Sequence, residues 1–122
     1  MVKLMKFLKF WLPPILWAII IFRLSSNVLP SVGPTYLSDF AFKKFSHVFF
    51  YAVLGILVYR ALLSENIVRT KALYISIIVC LIYGIGDEIH QSFIPGRGPH
   101  IRDVVFDTIG SSLGGIWAKK YL

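Results

Sequence analysis

Four apolar runs, roughly residues 7–22, 45–63, 72–90 and 101–118, take up most of this 122-residue chain. Each approaches the ~20 residues that a helix needs to cross the hydrocarbon core of a bilayer. Only a structure that satisfies its own backbone hydrogen bonds can cross there, which favours α-helices for runs of this length. With 57% hydrophobic residues, the chain carries more apolar surface than a soluble domain of this size can hide. The length allows one domain. The expected fold is therefore all-α: an integral membrane bundle of four transmembrane helices, forming one domain over residues 1–122.

The first run is the irregular one. Pro13 and Pro14 lie inside it and are predicted to kink the helix or delay its start. Lys3, Lys6 and Lys9 ahead of an apolar run imitate a signal peptide, but the following "RLSSNVLP" is a poor cleavage site. An uncleaved first helix is expected.

The charges are sorted by position. Lys3, Lys6, Lys9, Arg60, Arg69, Lys71, Lys119 and Lys120 fall on one side of a four-span topology, which the positive-inside rule makes cytoplasmic, with both termini inside. Arg23, Lys43, Lys44, Arg97 and Arg102 fall on the other. The net charge of +7 thus flanks apolar runs rather than forming a soluble basic face, so topology explains it better than nucleic acid does. Of the acids only Glu65 is inside, whereas Asp39, Asp87, Glu88, Asp103 and Asp107 lie in the outer half with all three histidines, His47, His90 and His100.

Helical spacing gathers these groups. At about 100° per residue, Asp87, Glu88, His90 and Gln91 share half of the third helix, with Ile85 and Ile89 opposite. Asp103, Asp107, Gly110 and Gly114 form a stripe on the fourth, and Val105, Ile109 and Ile116 face away. His47, Tyr51, Leu54 and Gly55 share a face of the second. An acid facing lipid at the bilayer centre costs about 2.5–3.5 kcal/mol, so the acidic faces are expected to turn inward. Gly110-x-x-x-Gly114 on the same stripe permits close helix approach. The connection "SFIPGRGPH" reads as a tight turn holding Arg97 near the outer surface.

Several chemistries find no support. Cys80 stands alone, which excludes an internal disulfide and any Cys-based zinc site; in mid-span it reads as a small inert apolar residue. "GDEIHQ" lacks the two histidines of the HExxH metalloprotease pattern. A divalent metal on His47, Glu88, His90 and Asp103 is permitted by composition but not demanded by spacing, so no metal or other cofactor is expected.

The motifs resemble those of the VanZ-like family of small bacterial membrane proteins. "KFSHVFFYAVLG" is similar to its Lys-x-x-His-x-x-x-Tyr stretch through Lys44, His47, Tyr51 and Gly55. "YGIGDEIHQSFIPGRGPHIRDVVFDTIGSSLGG" resembles its longest motif through Gly84, Asp87, Glu88, His90, Gln91, Pro95, Gly96, Arg97, Asp103, Gly110 and Gly114. Ser25 and Ser26 match the Ser-Ser segment after the first helix. The chain departs from the family where it has Lys43 in place of Asp and Asp107 in place of Asn. The resemblance implies a helical protein of the bacterial cell membrane, and its founding member lowers susceptibility to teicoplanin, a lipidated glycopeptide.

The residues expected to form an outer-leaflet ligand site are Lys44, His47, Asp87, Glu88, His90, Gln91, Arg97 and Asp103. Lys44 and Arg97 would meet an anionic ligand, with Glu88 and Asp103 orienting their partners. The expected partners are membrane lipids and a cell-wall precursor or lipoglycopeptide antibiotic, and a homo-oligomer is compatible with the sequence. Two alternatives stand beside this. One is a polar network that only fixes helix packing. The other is a membrane enzyme with Glu88 or Asp87 as base, His90 or His47 as acid and Arg97 on an oxyanion.

Overall fold

A computed structural model describes residues 2–25, 36–93 and 101–122, with side chains for 2–24, 41–93 and 103–122. The turn from Pro95 to Pro99 with Arg97, as well as His100, Ser26 and the side chains of Ser25, Asp39 and Arg102, lie outside the described residues. The described chain is helical, with α1 (Val2–Lys6), a π-helical turn (Phe7–Trp11), α2 (Leu12–Ser25), α3 (Tyr36–Leu63), α4 (Arg69–Gln91) and α5 (Ile101–Tyr121). Among the described residues, three stretches are long and apolar enough to cross a membrane: Val2–Leu24, Ala41–Leu63 and Arg69–Gln91. The fourth run also forms a helix, but α5 is more polar, with Asp103, Asp107, Lys119 and Lys120 along it.

The first helix begins before the prolines, not after them. The local irregularity is the π-helical turn that immediately precedes Pro13 and Pro14. The reason lies in the missing donors. The carbonyl of Lys9 would accept from residue 13 in an α-helix and from residue 14 in a π-helix, and both are prolines. That carbonyl instead accepts from the Arg60 guanidinium at 2.8 Å, which also lies 4.7 Å from the Phe10 ring centroid. A defect in the first helix thereby becomes its tie to α3.

Further ties fix the direction of α2. The Trp17 indole donates to the carbonyl of Phe50 at 2.9 Å, and the Tyr83 hydroxyl donates to the carbonyl of Ala18. Trp11 donates to Glu65 at 3.0 Å, and Lys6 lies 3.4 Å from the same carboxylate. The first helix therefore runs antiparallel to α3 and contacts α3 and α4, with no contact to α5 among the described residues. At the end of α3, Asn66 adopts φ 61°, a left-handed turn that asparagine tolerates well, and the chain reverses into α4.

The closest packing is between α3 and α5, which run parallel. A Cβ on Gly110 would overlap the Val48 carbonyl oxygen and lie 2.9 Å from the Val48 Cα. One on Gly114 would overlap the Ala52 carbonyl, and one on Gly55 would lie 2.8 Å from the Ser111 carbonyl oxygen. Only glycine lets the two backbones approach this far. On the other side of α5, Gly115 abuts Leu73 and Gly84 faces Asp107, which seats α4 antiparallel to α5.

The polarity of the bundle is inverted relative to a soluble protein. Ile78, Ile82, Ile85 and Ile89 of α4 and Val105, Ile109, Leu113 and Ile116 of α5 are exposed, whereas Ser76, Asp87, Glu88, Gln91, Asp103, Asp107 and Ser111 are buried. The faces expected from helical spacing are those observed, since lipid solvates the apolar side and the polar side finds partners only inside.

Gly114→Ala is expected to lower the thermal stability of the purified protein by about 1–3 kcal/mol, because the added methyl overpacks a backbone contact. Gly86→Ala, where a Cβ meets nothing within 4 Å, should be neutral or stabilising by about 0.5–1 kcal/mol. Melting curves of both variants in one detergent check the contrast. The hydrogen bond from Trp11, aided by Lys6, holds the Glu65 carboxyl below its ordinary range. A lowered folded-state pKa stabilises above the unfolded value, about 4.3, and that contribution fades as pH falls through the folded value. Melting temperatures of the wild type and Glu65→Gln should accordingly differ at neutral pH and converge on acidification.

Candidate functional site

The parallel register of α3 and α5 sets Lys44 and His47, one turn apart, beside Asp103 and Asp107, also one turn apart. The Lys44 ammonium donates to Asp103 Oδ1. His47 Nδ1 lies 2.7 Å from Asp107 Oδ1, and its Nε2 lies 3.9 Å from Asp103 Oδ2. The result is an alternating row of base and acid across the helix interface: Lys44, Asp103, His47, Asp107. The carboxylates are the deeper members, at 4% and 1% side-chain exposure, against 13% and 14% for Lys44 and His47. Buried charges persist in such surroundings only when each meets an opposite partner.

Both ring nitrogens of His47 face carboxylates. That arrangement leaves neither nitrogen pointing at open space. Lys44 Nζ also sits 6.0 Å from the Phe106 ring centroid, which closes the row at its shallow end.

The inner end opens onto α4. Asp107 Oδ2 accepts no hydrogen bond among the described residues, and the same holds for the hydroxyl of Tyr51 and for Gln91 Oε1. Asp107 Oδ2 and the Tyr51 ring flank Gly84, at 3.3 and 3.7 Å from where a Cβ would stand. Glycine at position 84 thus makes room for the Asp107 carboxylate between three helices. On α4, Gln91 Nε2 donates to Asp87 Oδ2 at 3.4 Å, and Glu88 is buried beside them.

Of the eight residues expected at the site, Lys44, His47 and Asp103 come together directly. Asp87, Glu88 and Gln91 are buried on the inward face of α4. His90 turns elsewhere, stacking on the Phe22 ring of α2 at 4.3 Å between centroids. Arg97 lies outside the described residues. Among the described residues no group of three His, Cys, Asp or Glu side chains is placed to hold a metal ion.

Two members of the site were not among those eight. Asp107 stands at its centre, although the stripe Asp103–Asp107–Gly110–Gly114 already marks its inward face. Tyr51, four residues after His47 and 1% exposed, lies beside Asp107.

The VanZ/LLP1 family model matches residues 10–120, a span that takes in every residue of this cluster. The chain belongs to the VanZ-like family. No curated protein and no solved structure matches it. In this VanZ-family membrane protein Asp107 lies against His47 across the α3–α5 interface.

Removing one member of a buried pair strands its partner, at a cost of about 3–5 kcal/mol. Asp103→Asn is thus expected to lower the melting temperature of the detergent-solubilised protein markedly. The double variant Lys44→Met/Asp103→Leu, which replaces the pair with apolar groups, should recover most of the loss. Additive losses in a double-mutant cycle would show that the two groups do not act as a pair.

Proposed function

We propose that the polar cluster faces the outer leaflet of the bacterial cell membrane and recognises a cell-envelope component or a lipophilic glycopeptide antibiotic, so that the protein contributes to teicoplanin resistance. The reading includes α5 as a fourth transmembrane helix and both termini on the cytoplasmic side. It rests on one observation above all: Lys44 and His47, both half-buried, meet the buried Asp103 and Asp107 between helices at one end of a bundle whose outside is apolar. Such groups carry a desolvation cost, and within membranes they mark sites of function.

Lys44, His47, Asp87, Glu88, His90, Gln91, Arg97 and Asp103 form the recognition surface in this proposal. The Lys44–Asp103 and His47–Asp107 pairs hold the helices in register, and Arg97 offers a planar, bidentate donor to a phosphate or carboxylate. A second reading, a membrane enzyme acting on a lipid headgroup or cell-wall precursor, draws on the short His47–Asp107 contact, since a carboxylate that orients an imidazole is a recurrent acid–base arrangement.

Expression in a teicoplanin-sensitive bacterium tests the proposal. The wild-type chain should raise the inhibitory concentration, whereas Glu88→Gln and Arg97→Ala should abolish the gain at unchanged membrane abundance. Full resistance in both variants would sink the recognition reading, and loss of abundance ahead of resistance would favour a packing role. Lipid extracts that differ between cells with and without the chain would favour the enzyme.

A further inference from the structure

The end of the bundle opposite the polar cluster has its own chemistry. Lys6 meets Glu65, Arg60 holds the carbonyl of Lys9, and Arg69 donates to the carbonyls of Lys119 and Leu122 at 3.1 and 3.0 Å. These contacts gather the start of the first helix, the α3–α4 turn and the end of α5 at one place. Eight of the 13 lysines and arginines belong to this end and only one of the six acids, so it carries the entire formal net charge of +7. Roughly 24 Å of helix, at 1.5 Å per residue, separates it from Lys44.

The cations divide by occupation. Lys6, Arg60 and Arg69 fasten the helix ends, and Lys119 is half-buried. Lys3, Lys9, Lys71 and Lys120 are exposed and meet no carboxylate among the described residues. The one acid is engaged between Lys6 and Trp11. The outward charge is therefore of a single sign. Aromatic residues ring the same end: Trp117 and Tyr121 are half or more exposed, with rings 5.3 Å apart, and Lys120 lies over the Tyr121 ring. Exposed Trp and Tyr beside lysine is the pattern of a segment seated at the headgroup level of a bilayer.

We propose that this basic end is a docking surface for anionic phospholipid, with Lys3, Lys9, Lys71 and Lys120 holding phosphate-charged headgroups and Trp117 and Tyr121 seated among them. The argument is charge complementarity. Four unneutralised ammonium groups at a membrane surface favour anionic over zwitterionic lipid, by about fivefold for each lysine that a headgroup reaches. The surface is distinct from the Lys44–His47 cluster and does not depend on what that cluster recognises.

The test reconstitutes the full chain into vesicles of phosphatidylcholine mixed with phosphatidylglycerol, one or the other brominated, and reads quenching of tryptophan fluorescence. Trp11 and Trp117 lie at the basic end. The relative binding constant of phosphatidylglycerol over phosphatidylcholine is expected to be about 5 or more at low salt and to shrink as salt rises. Changing all four lysines to Gln should bring it to about 1, while changing them to Arg should preserve it, which separates charge from folding. Equal quenching by the two lipids, or a preference that survives the four Gln substitutions, overturns the proposal. Loss of teicoplanin resistance in Glu88→Gln has no bearing on it.

Discussion

The approach of α3 to α5 through Gly55, Gly110 and Gly114 is the constraint on which the rest of the bundle depends. Without side chains at these positions the two backbones come within contact distance, and the Val48 and Ala52 carbonyls sit against the α5 glycines. That distance sets the reach of every side chain between the helices. It allows the short side chains Asp103 and Asp107 to meet Lys44 and His47 directly. It also fixes the register, because a slip of one residue on α5 would rotate Asp103 and Asp107 away from the interface, and one on α3 would carry Lys44 and His47 away from them. Close packing and charge pairing thus support each other. The glycines gain nothing by burying apolar surface, since lipid is as apolar as leucine, so van der Waals contact and paired charges carry the association.

The same arrangement divides the molecule into two unlike ends. At one, Lys44 and His47 are paired with the buried Asp103 and Asp107. At the other, the cations outnumber the acidic side chains, four lysines are exposed, and the one acidic side chain, Glu65, is engaged by Trp11 and Lys6. Arg60 links the two through α3: it satisfies the Lys9 carbonyl that the two prolines cannot serve, and so holds the first helix against the helix that bears Lys44 and His47. The π-helical turn at Phe7–Trp11 is therefore part of how the bundle closes.

Much of this was legible in the sequence. The inward faces of α4 and α5 follow from counting residues around a helix, because the cost of exposing Asp87, Asp103 or Asp107 to lipid leaves one orientation open. The bounds of the helices were less legible. The first begins at Val2, ahead of residue 7, and its prolines do not delay it, because a missing hydrogen bond can be replaced by a side chain from a distant helix, and nothing local signals which one. The extent of α3, back to Tyr36, was also missed, since polar residues continue a helix beyond its apolar part.

The pairing within the site is the part that only the tertiary structure decided. The sequence by itself determined an all-helical VanZ-family membrane protein with its histidines and every acid but Glu65 in one half, because hydropathy, helical period and motif spacing are properties of the chain alone. It placed His47 and His90 at that same end and offered both as partners. The structure separates them, His47 between two aspartates and His90 on the Phe22 ring. Rotation and register of packed helices make that choice. They are set by where backbones can touch, at Gly55, Gly84, Gly110 and Gly114, and a contact between residues sixty positions apart has no local signature in the chain.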